Sequence, residues 1–398
     1  MRIVIDARMY GLEHAGIGRY ISNLIRTISH QQSAISNQQF ILLVRKSKVD
    51  EIKKEVGRKL RLEVADYPHY SFQEQIFLPI SLLKIKPDLV HFPHFNVPIL
   101  WWGKQVVTIH DLIKHESKGR ETTTRSGLLY WFKYLNYRFL VWLAVKRAVK
   151  VIVPSNYWKK ELGQRYKLKQ EKIVVTYEGV EKKFQISNFQ FPISNKILGK
   201  YKIKKPFLIY TGSLYPHKNV ERLVEAVKIL NQPSTINHQS LVTLVIVCSR
   251  SVFYERFEKK IKEMKAEELV NLVGFVPDED LVSLYQGAEA FVFPSLLEGF
   301  GLPGLEAMAC GCPVICSDIP VLKEIYNEAA EYFDPDDIDD IAEKIKKVIK
   351  DKRTSNTLIK KGFKQVKKYS WQRMAEQTLE VYKNLAVGKN LVSHQCSK

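Results

Sequence analysis

Short apolar runs separated by amphipathic stretches recur along this chain, and the pattern runs twice. In the first half, "RIVID" (2–6), "FILLV" (40–44), "DLVHF" (88–92), "QVVTI" (105–109) and "KVIVP" (150–154) are apolar at most positions. A strand wetted on one face alternates apolar and polar residues; a near-continuous run needs cover on both faces, as in a parallel sheet between helical layers. Between these runs, residues 17–30, 72–84, 128–149 and 155–166 read as helices, the last with Ser155 as N-cap. The alternation restarts with "FLIYTG" (207–212), "LVTLVIV" (241–247), "NLVGF" (271–275), "AFVFP" (290–294) and "PVICS" (313–317). Helical stretches at 219–231, 252–266, 279–286, 303–310 and 337–350 separate them. Alternating strands and helices fold as α/β doubly wound sheets. Two such domains are therefore expected, a count that also suits 398 residues.

The boundaries follow. Residues 1–183 form the first domain, 184–204 a polar linker ending before Pro206, and 205–369 the second domain. A closing helix at 370–387 carries Trp371, Met374, Leu379, Val381 and Tyr382 as its apolar positions, and 388–398 reads as a polar, mobile tail. Similar Ile-Ser-Asn words in "SAISNQQF" (33–40) and "ISNFQFPISN" (186–195), with a cousin in "PSTINHQS" (233–240), read as loop insertions, because lengthening a loop costs little.

Charge is unevenly spread. Residues 1–183 hold 32 Lys+Arg against 16 Asp+Glu, a net of +16; the remainder holds 30 against 26, a net of +4. A basic half attracts an anionic partner such as a phosphorylated substrate, anionic lipid or nucleic acid. No nucleic-acid motif accompanies the charge, so no nucleic acid is expected. The chain has no apolar stretch long enough to span a bilayer, and "MRIVIDARMYG" lacks the apolar core of a secretory signal. Five cysteines give no disulfide framework. Three lie in "CGCPVIC" with no nearby histidine, so they read as small buried residues entering a strand rather than a metal site. A reducing, cytoplasmic setting is expected.

Three strand–turn–helix junctions carry candidate chemistry. In "AFVFPSLLEGFGLPGLEAM", Glu298 stands before a glycine turn (Gly299, Phe300, Gly301, Leu302) and Glu306 just inside the following helix, with Pro303 in its first turn. Unpaired N–H groups at a helix start favour a phosphate, and carboxylates accept from paired sugar hydroxyls. Glycines let a ligand approach the backbone. In "YTGSLYPHKNVERLVEAV", Lys218 sits at the turn as a pyrophosphate clamp, with Asn219 as helix cap. In "GLEHAGIGRYISNLI", Gly16 and Gly18 form a glycine turn entering a helix. His110 ends the run "VTIH", at the sheet edge where ligands bind in open α/β folds. Taken singly, each also fits a structural role: surface Glu, loop Lys, core His.

Residues 128–150, "LLYWFKYLNYRFLVWLAVKRAVK", combine aromatics with five cations. Tyr130, Lys133, Tyr134, Tyr137 and Arg138 recur at helical spacing on one face, which fits either anionic lipid or a core helix with one wet side.

Together these motifs resemble one family. "EGFGLPGLE" matches the Glu-x7-Glu signature of the group 1 (GT4-type) retaining glycosyltransferases. "GIGRYISNL", "TIHD", "VPSNYWKKEL", "TGSLYPHKN" and "LEAMACGCPVICSD" follow in the family's order, so the resemblance covers nearly the whole chain. It implies the GT-B fold: two facing Rossmann-like domains, an acceptor domain first and a donor domain second, with a C-terminal crossover helix. It implies Glu306 on the ribose hydroxyls, Glu298 near the transferred sugar beside the backbone of Gly299, Phe300, Gly301 and Leu302, and Lys218 on the donor diphosphate. Gly16 and Gly18 are then expected to approach that diphosphate, and His110 to contact the sugar near its anomeric carbon. "VGFVP", with Val276, is expected to line the base pocket. The catalytic pair is thus His110 and Glu298, with no metal and no cofactor. "DED" (278–280) and "DPD" (334–336) read as acidic helix starts rather than metal motifs.

Two departures stand out. Relatives carry an Arg where Ser213 stands, or just before the Lys where His217 stands, so a phosphate cation is missing or replaced by histidine. The usual Asn-Gly-Val is Glu178-Gly179-Val180. The donor expected is a nucleotide diphosphate hexose, GDP-mannose ahead of a UDP-sugar. The acceptor is a glycan or lipid-linked molecule in polysaccharide or glycolipid synthesis, and the setting cytoplasmic, peripheral on an anionic inner membrane face. The competing reading is a non-catalytic basic binding protein on an inherited GT-B fold.

Overall fold

The computed structural model describes residues 1–31, 38–57, 59–116, 127–185, 195–232, 241–249 and 251–393. The Ile-Ser-Asn words thus lie largely outside the described residues, as do 394–398 of the expected tail. The chain divides into two compact units. One holds Met1–His115, Thr123–Gly179 and the segment from Ser370; the other is built on Val180–Tyr369.

The first unit is a seven-stranded parallel sheet: β1 (Arg2–Asp6), β2 (Gln39–Val44), β3 (Arg61–Val64), β4 (Leu89–Phe92), β5 (Gln105–Thr108), β6 (Lys150–Val153) and β7 (Ile173–Val175). They lie in the order β3-β2-β1-β4-β5-β6-β7. β1 sits between β2 and β4, with Ile3 paired to both Phe40 and Leu89. Ile3, Val4, Ile5, Leu42, Val90, Val106 and Ile152 are fully buried, as continuous apolar runs require.

The second unit is a six-stranded parallel sheet of β8 (Phe207–Thr211), β9 (Thr243–Val247), β10 (Val270–Gly274), β11 (Ala290–Phe293), β12 (Val314–Ser317) and β13 (Ala330–Phe333). The order is β10-β9-β8-β11-β12-β13, which is the dinucleotide-fold order 3-2-1-4-5-6. In both sheets the chain winds outward from its first strand, then returns to that strand's other side. This unit begins at Val180, so buried Phe184 and the helix Asn195–Lys200 belong to it rather than to a spacer.

The closing helix runs Trp371–Ser393, longer than the periodicity indicated. It packs in the first unit: Trp371 stands edge-on to Tyr20, and the Tyr382 hydroxyl meets His91 Nδ1 inside the core. His91 Nε2 in turn reaches Thr108 Oγ1 at 2.8 Å, joining the helix to β4 and β5. Met374, Leu379 and Tyr382 are buried, as their spacing predicts.

Several local expectations are met. Ser155 Oγ accepts from Trp158 N and caps the helix Asn156–Tyr166. Asp278 to Asp280 open the helix Asp278–Gly287. Cys248, Cys310, Cys312 and Cys316 are buried, unbridged thiols, and burial pushes Cys248 up to about 12.

Two expectations fail. Asn219 makes no cap bond: it adopts φ 59° and donates instead to Pro335 O at 2.8 Å. The proposed face of Tyr130, Lys133, Tyr134, Tyr137 and Arg138 does not exist as one surface. Tyr134 is buried and Tyr137 half-buried, both bonded to His115, while Lys133 and Arg138 are exposed. Two tyrosines of the helix Gly127–Arg147 turn inward because buried His115 pairs with their hydroxyls, through Nδ1 for Tyr137 and its carbonyl for Tyr134.

Candidate active site

In an open parallel sheet, two loops leave in opposite directions where the strand order reverses, opening a crevice at the carboxyl ends of the strands. In the second unit that point lies between β8 and β11. The loop after β8 carries Ser213 to Asn219; the loop after β11 carries Ser295 to Gly301. They are tied together by Leu296 N donating to His217 O at 2.8 Å.

The two loops place Lys218 and Glu298 against each other. Lys218 Nζ lies 2.6 Å from Glu298 Oε1, and the side chains are only 14% and 8% exposed. The ammonium also stands 5.6 Å from the Phe293 ring centre. A cation and an anion are thus held ready in a half-dry crevice. The lysine is thereby oriented at the crevice, with one carboxylate oxygen of Glu298 as its charge-assisted partner.

Behind the turn, the helix Leu302–Ala309 has Gly301 as N-cap and Pro303 in its first turn. Glu306 is buried on it. Gly301 takes φ 97°, and a Cβ there would lie 2.6 Å from the Tyr326 hydroxyl. That hydroxyl donates to Gly301 O. This glycine therefore serves close packing from inside the fold, not only a ligand's approach from outside. Phe300 is likewise turned inward, edge-on to Tyr369 at 5.6 Å. Val276 is buried just past β10, whereas Phe275 beside it is exposed.

His217 cannot replace the missing arginine. Burial, and then the neighbouring Lys218, push its imidazole down to about 4, so it is neutral near pH 7. Ser213 brings no charge; its carbonyl accepts from the Tyr210 hydroxyl at 2.7 Å. Of the residues at 213, 217 and 218, Lys218 alone is cationic.

In the first unit, Gly16 and Gly18 fall inside the opening turn of the helix Ala15–Gln31 rather than in a loop before it. A Cβ on Gly18 would lie 1.9 Å from Gly11 O, so only glycine permits that approach. Nothing stands within 4 Å of the Cβ position on Gly16. His110, two residues past β5, is engaged on both nitrogens: Nδ1 lies 3.2 Å from Glu178 Oε1 and Nε2 lies 3.1 Å from Pro93 O. Tyr20 packs edge-on against its ring at 4.9 Å. Glu178 was visible in the sequence only as a departure from Asn-Gly-Val; the structure makes it the partner of the candidate histidine.

A second group went unread in the sequence. Arg8 is fully buried, 2.7 Å from Asp6 Oδ2 at the end of β1 and 2.7 Å from Glu74 Oε1 on the helix Phe72–Ile85. Glu74 also accepts from Asn96 Nδ2 at 2.7 Å. Burial alone would raise both carboxyls, but the Arg8 guanidinium outweighs it for Asp6, and His69 together with Arg8 does so for Glu74; both are held below the usual range. The only signal was a lone acid in that helix.

Paired Rossmann-like units of these strand orders define the GT-B class of glycosyltransferase. Residues 16–184 match the family model described as Glycosyltransferase Family 4, and 194–365 that described as Glycosyl transferases group 1. The chain belongs to the group 1 glycosyltransferases. Over 310 residues it is 28% identical to the O-antigen chain mannosyltransferase B of Escherichia coli, covering 77% of this chain and 76% of that one. Its fold matches sucrose-phosphate synthase of Thermosynechococcus elongatus with TM-score 0.74 and 20% identity, over 98% of this chain and 100% of that one. It also matches Anabaena HepE, solved with UDP and glucose, with TM-score 0.72 and 17% identity, over 96% and 99% of the two chains. Among the described residues no helix is long and apolar enough to cross a membrane.

Proposed function

We propose that this glycosyltransferase moves a mannosyl residue from GDP-mannose to a glycan or lipid-linked acceptor in cell-surface polysaccharide or glycolipid synthesis, with retention at the anomeric carbon. The observation that carries the donor site is the Lys218–Glu298 pair at the β8/β11 crevice, with Glu306 buried on the helix behind it. The choice of mannose is supported by the relative named as an O-antigen mannosyltransferase.

Breaking a sugar–phosphate bond leaves negative charge on the diphosphate and positive character on the ring. Lys218 and the helix N–H groups meet the first, and a crevice poor in water makes that charge worth more. Glu306 holds the ribose hydroxyls, which anchors the donor far from the reacting bond. Glu298 holds sugar hydroxyls and His110 approaches the sugar near the bond. The departing phosphate takes the acceptor's proton on the same face, so no enzymic nucleophile is required. Since protein groups carry the leaving-group charge, chelation with EDTA is expected to leave turnover unchanged. Nucleotide-sugar chemistry and unbridged thiols suit a cytoplasmic setting. A chain that merely bound anions would have no use for two acids, Glu298 and Glu306, at a phosphate crevice.

Transfer from GDP-mannose and from UDP-hexoses tests the reading. GDP-mannose is expected to be turned over fastest, with Lys218→Ala lowering kcat by about a hundredfold or more and Glu306→Ala raising donor KM. Unchanged turnover in both variants would remove the assigned roles, and preference for a UDP-sugar would replace the donor.

A further inference from the structure

Two outward stripes of the same spacing run along the helices Phe72–Ile85 and Gly127–Arg147 of the first unit. Phe72, Ile76, Ile80 and Leu83 form one; Trp131, Leu135, Phe139 and Trp142 form the other. Both follow i, i+4, i+8, i+11, which at 3.6 residues per turn keeps four side chains within about a quarter of the circumference. All eight are exposed, Phe72 at 90% and Leu83 at 65%. The inward faces are filled separately, by Leu78 and Leu82 in one helix and by Tyr134, Val141, Ala144 and Val145 in the other. The stripes therefore do nothing for the core, where a solvent-facing helix would carry charge.

The helices are joined into one surface by the segment between β4 and β5. Ile99 N donates to Gln75 Oε1 at 2.8 Å, and Arg147 donates to Ile99 O at 2.6 Å. Arg147 also lies 3.6 Å from the ring centre of Trp102, which is 77% exposed, and Leu100 is exposed beside it. Charge on this face has one sign. Lys84, Lys104, Arg138 and Lys146 are exposed beside the stripes. The helix Gly127–Arg147 has no acidic residue, and Glu74, the acid of the other, is buried against Arg8.

We propose that this face docks the protein on an anionic phospholipid bilayer. Aromatic and aliphatic side chains flanked by cations enter the headgroup boundary, where both parts are satisfied at once. A second copy of the chain would set like charges against each other. Each helix ends a few residues before the next strand begins, so its first turn stands at the carboxyl edge of the sheet, the edge that bears His110. A docked bilayer thus lies beside that edge, where a lipid-linked acceptor would be presented; this last point rests on the proposed function, while docking does not.

Co-sedimentation of the full chain with phosphatidylcholine vesicles, with and without phosphatidylglycerol, tests it. Wild type is expected to partition onto the anionic vesicles, with a blue shift in tryptophan emission, and to release at high salt. Leu135→Gln/Phe139→Gln and Arg138→Glu/Lys146→Glu are each expected to lose about tenfold or more in partitioning. Neither pair touches the donor crevice, so transfer to a water-soluble acceptor is expected to stay at the wild-type rate. Wild type left in the supernatant, or variants that bind as well as it does, would overturn docking. A dimer that the first variant dissolves would assign the face to a second copy instead. Vesicle binding without any sugar transfer would leave docking standing and remove the proposed function.

Discussion

At the scale of single residues, the proposed donor crevice has Lys218 as its cation, with His217 beside it uncharged. His217 stays neutral because burial and Lys218 both disfavour its charged form. His217→Asn is therefore expected to change kcat/KM by no more than about twofold from about pH 5.5 to 8. An imidazolium acting as second phosphate cation would instead give wild type an advantage that grows toward the acid end. Glu178 answers the question its sequence position raised. Both ring nitrogens of His110 face acceptors, Glu178 Oε1 and Pro93 O, and the carboxylate at Nδ1 helps fix how the ring is held. Glu178→Ala is expected to lower kcat by about tenfold while KM moves little, because a loose ring loses orientation rather than donor affinity. Glu178→Gln keeps an acceptor and is expected to recover much of the rate. Equal loss in both variants would point to charge, not position. Glu178 could be singled out in the sequence, but its partner could not: 68 positions separate it from His110.

At the scale of elements, Arg8 fastens the end of β1 to the helix Phe72–Ile85 through Asp6 and Glu74. Both carboxyls are held below their ordinary values of 3.8 and 4.5. Their contribution to stability is thus complete above those values and is lost as pH falls through the depressed ones. Glu74→Gln is expected to destabilise the first unit by about 3 kcal/mol, since it leaves Arg8 short of one partner in a buried site. Denaturant melts at pH 7 and near pH 3 check the sign: the gap between wild type and variant narrows in acid. A gap that stays constant would show that packing, not charge, holds the joint. Elements also show what periodicity can and cannot reveal. All ten strands read from the sequence are present, and β3, β7 and β13 went unread. Those three are sheet edges. An edge strand has one neighbour and a wetter surface, so "RLEV" and "AEYF" lack the continuous apolar run that marks an interior strand. The helices Val49–Val56, Pro320–Tyr326 and Lys352–Val366 were missed as well.

At the scale of the whole molecule, chain order and unit membership part company at the C-terminus. The second unit is built chiefly on Val180–Tyr369, while the first needs the helix that begins after Ser370. Residues 180–369 are expected to fold alone with a cooperative thermal transition. Residues 1–179 are expected to aggregate unless the helix is supplied, because its removal uncovers the surface that receives Trp371, Met374 and Tyr382 and strips His91 of the Tyr382 hydroxyl. A well-behaved 1–179 fragment would contradict this. The sequence by itself determined the two doubly wound sheets, the glycine turns at their strand ends and the pair of acids that flank the turn after β11. These are local matters, written in runs, caps and turn residues within a few positions of one another. Only the tertiary structure decided that Lys218 meets Glu298, that Glu178 meets His110, that Arg8 is buried between two acids, and which side of the helix Gly127–Arg147 faces out. Each depends on loops or faces brought together from distant parts of the chain, and the free energy that selects them is that of burial and pairing in space, which no local spacing records.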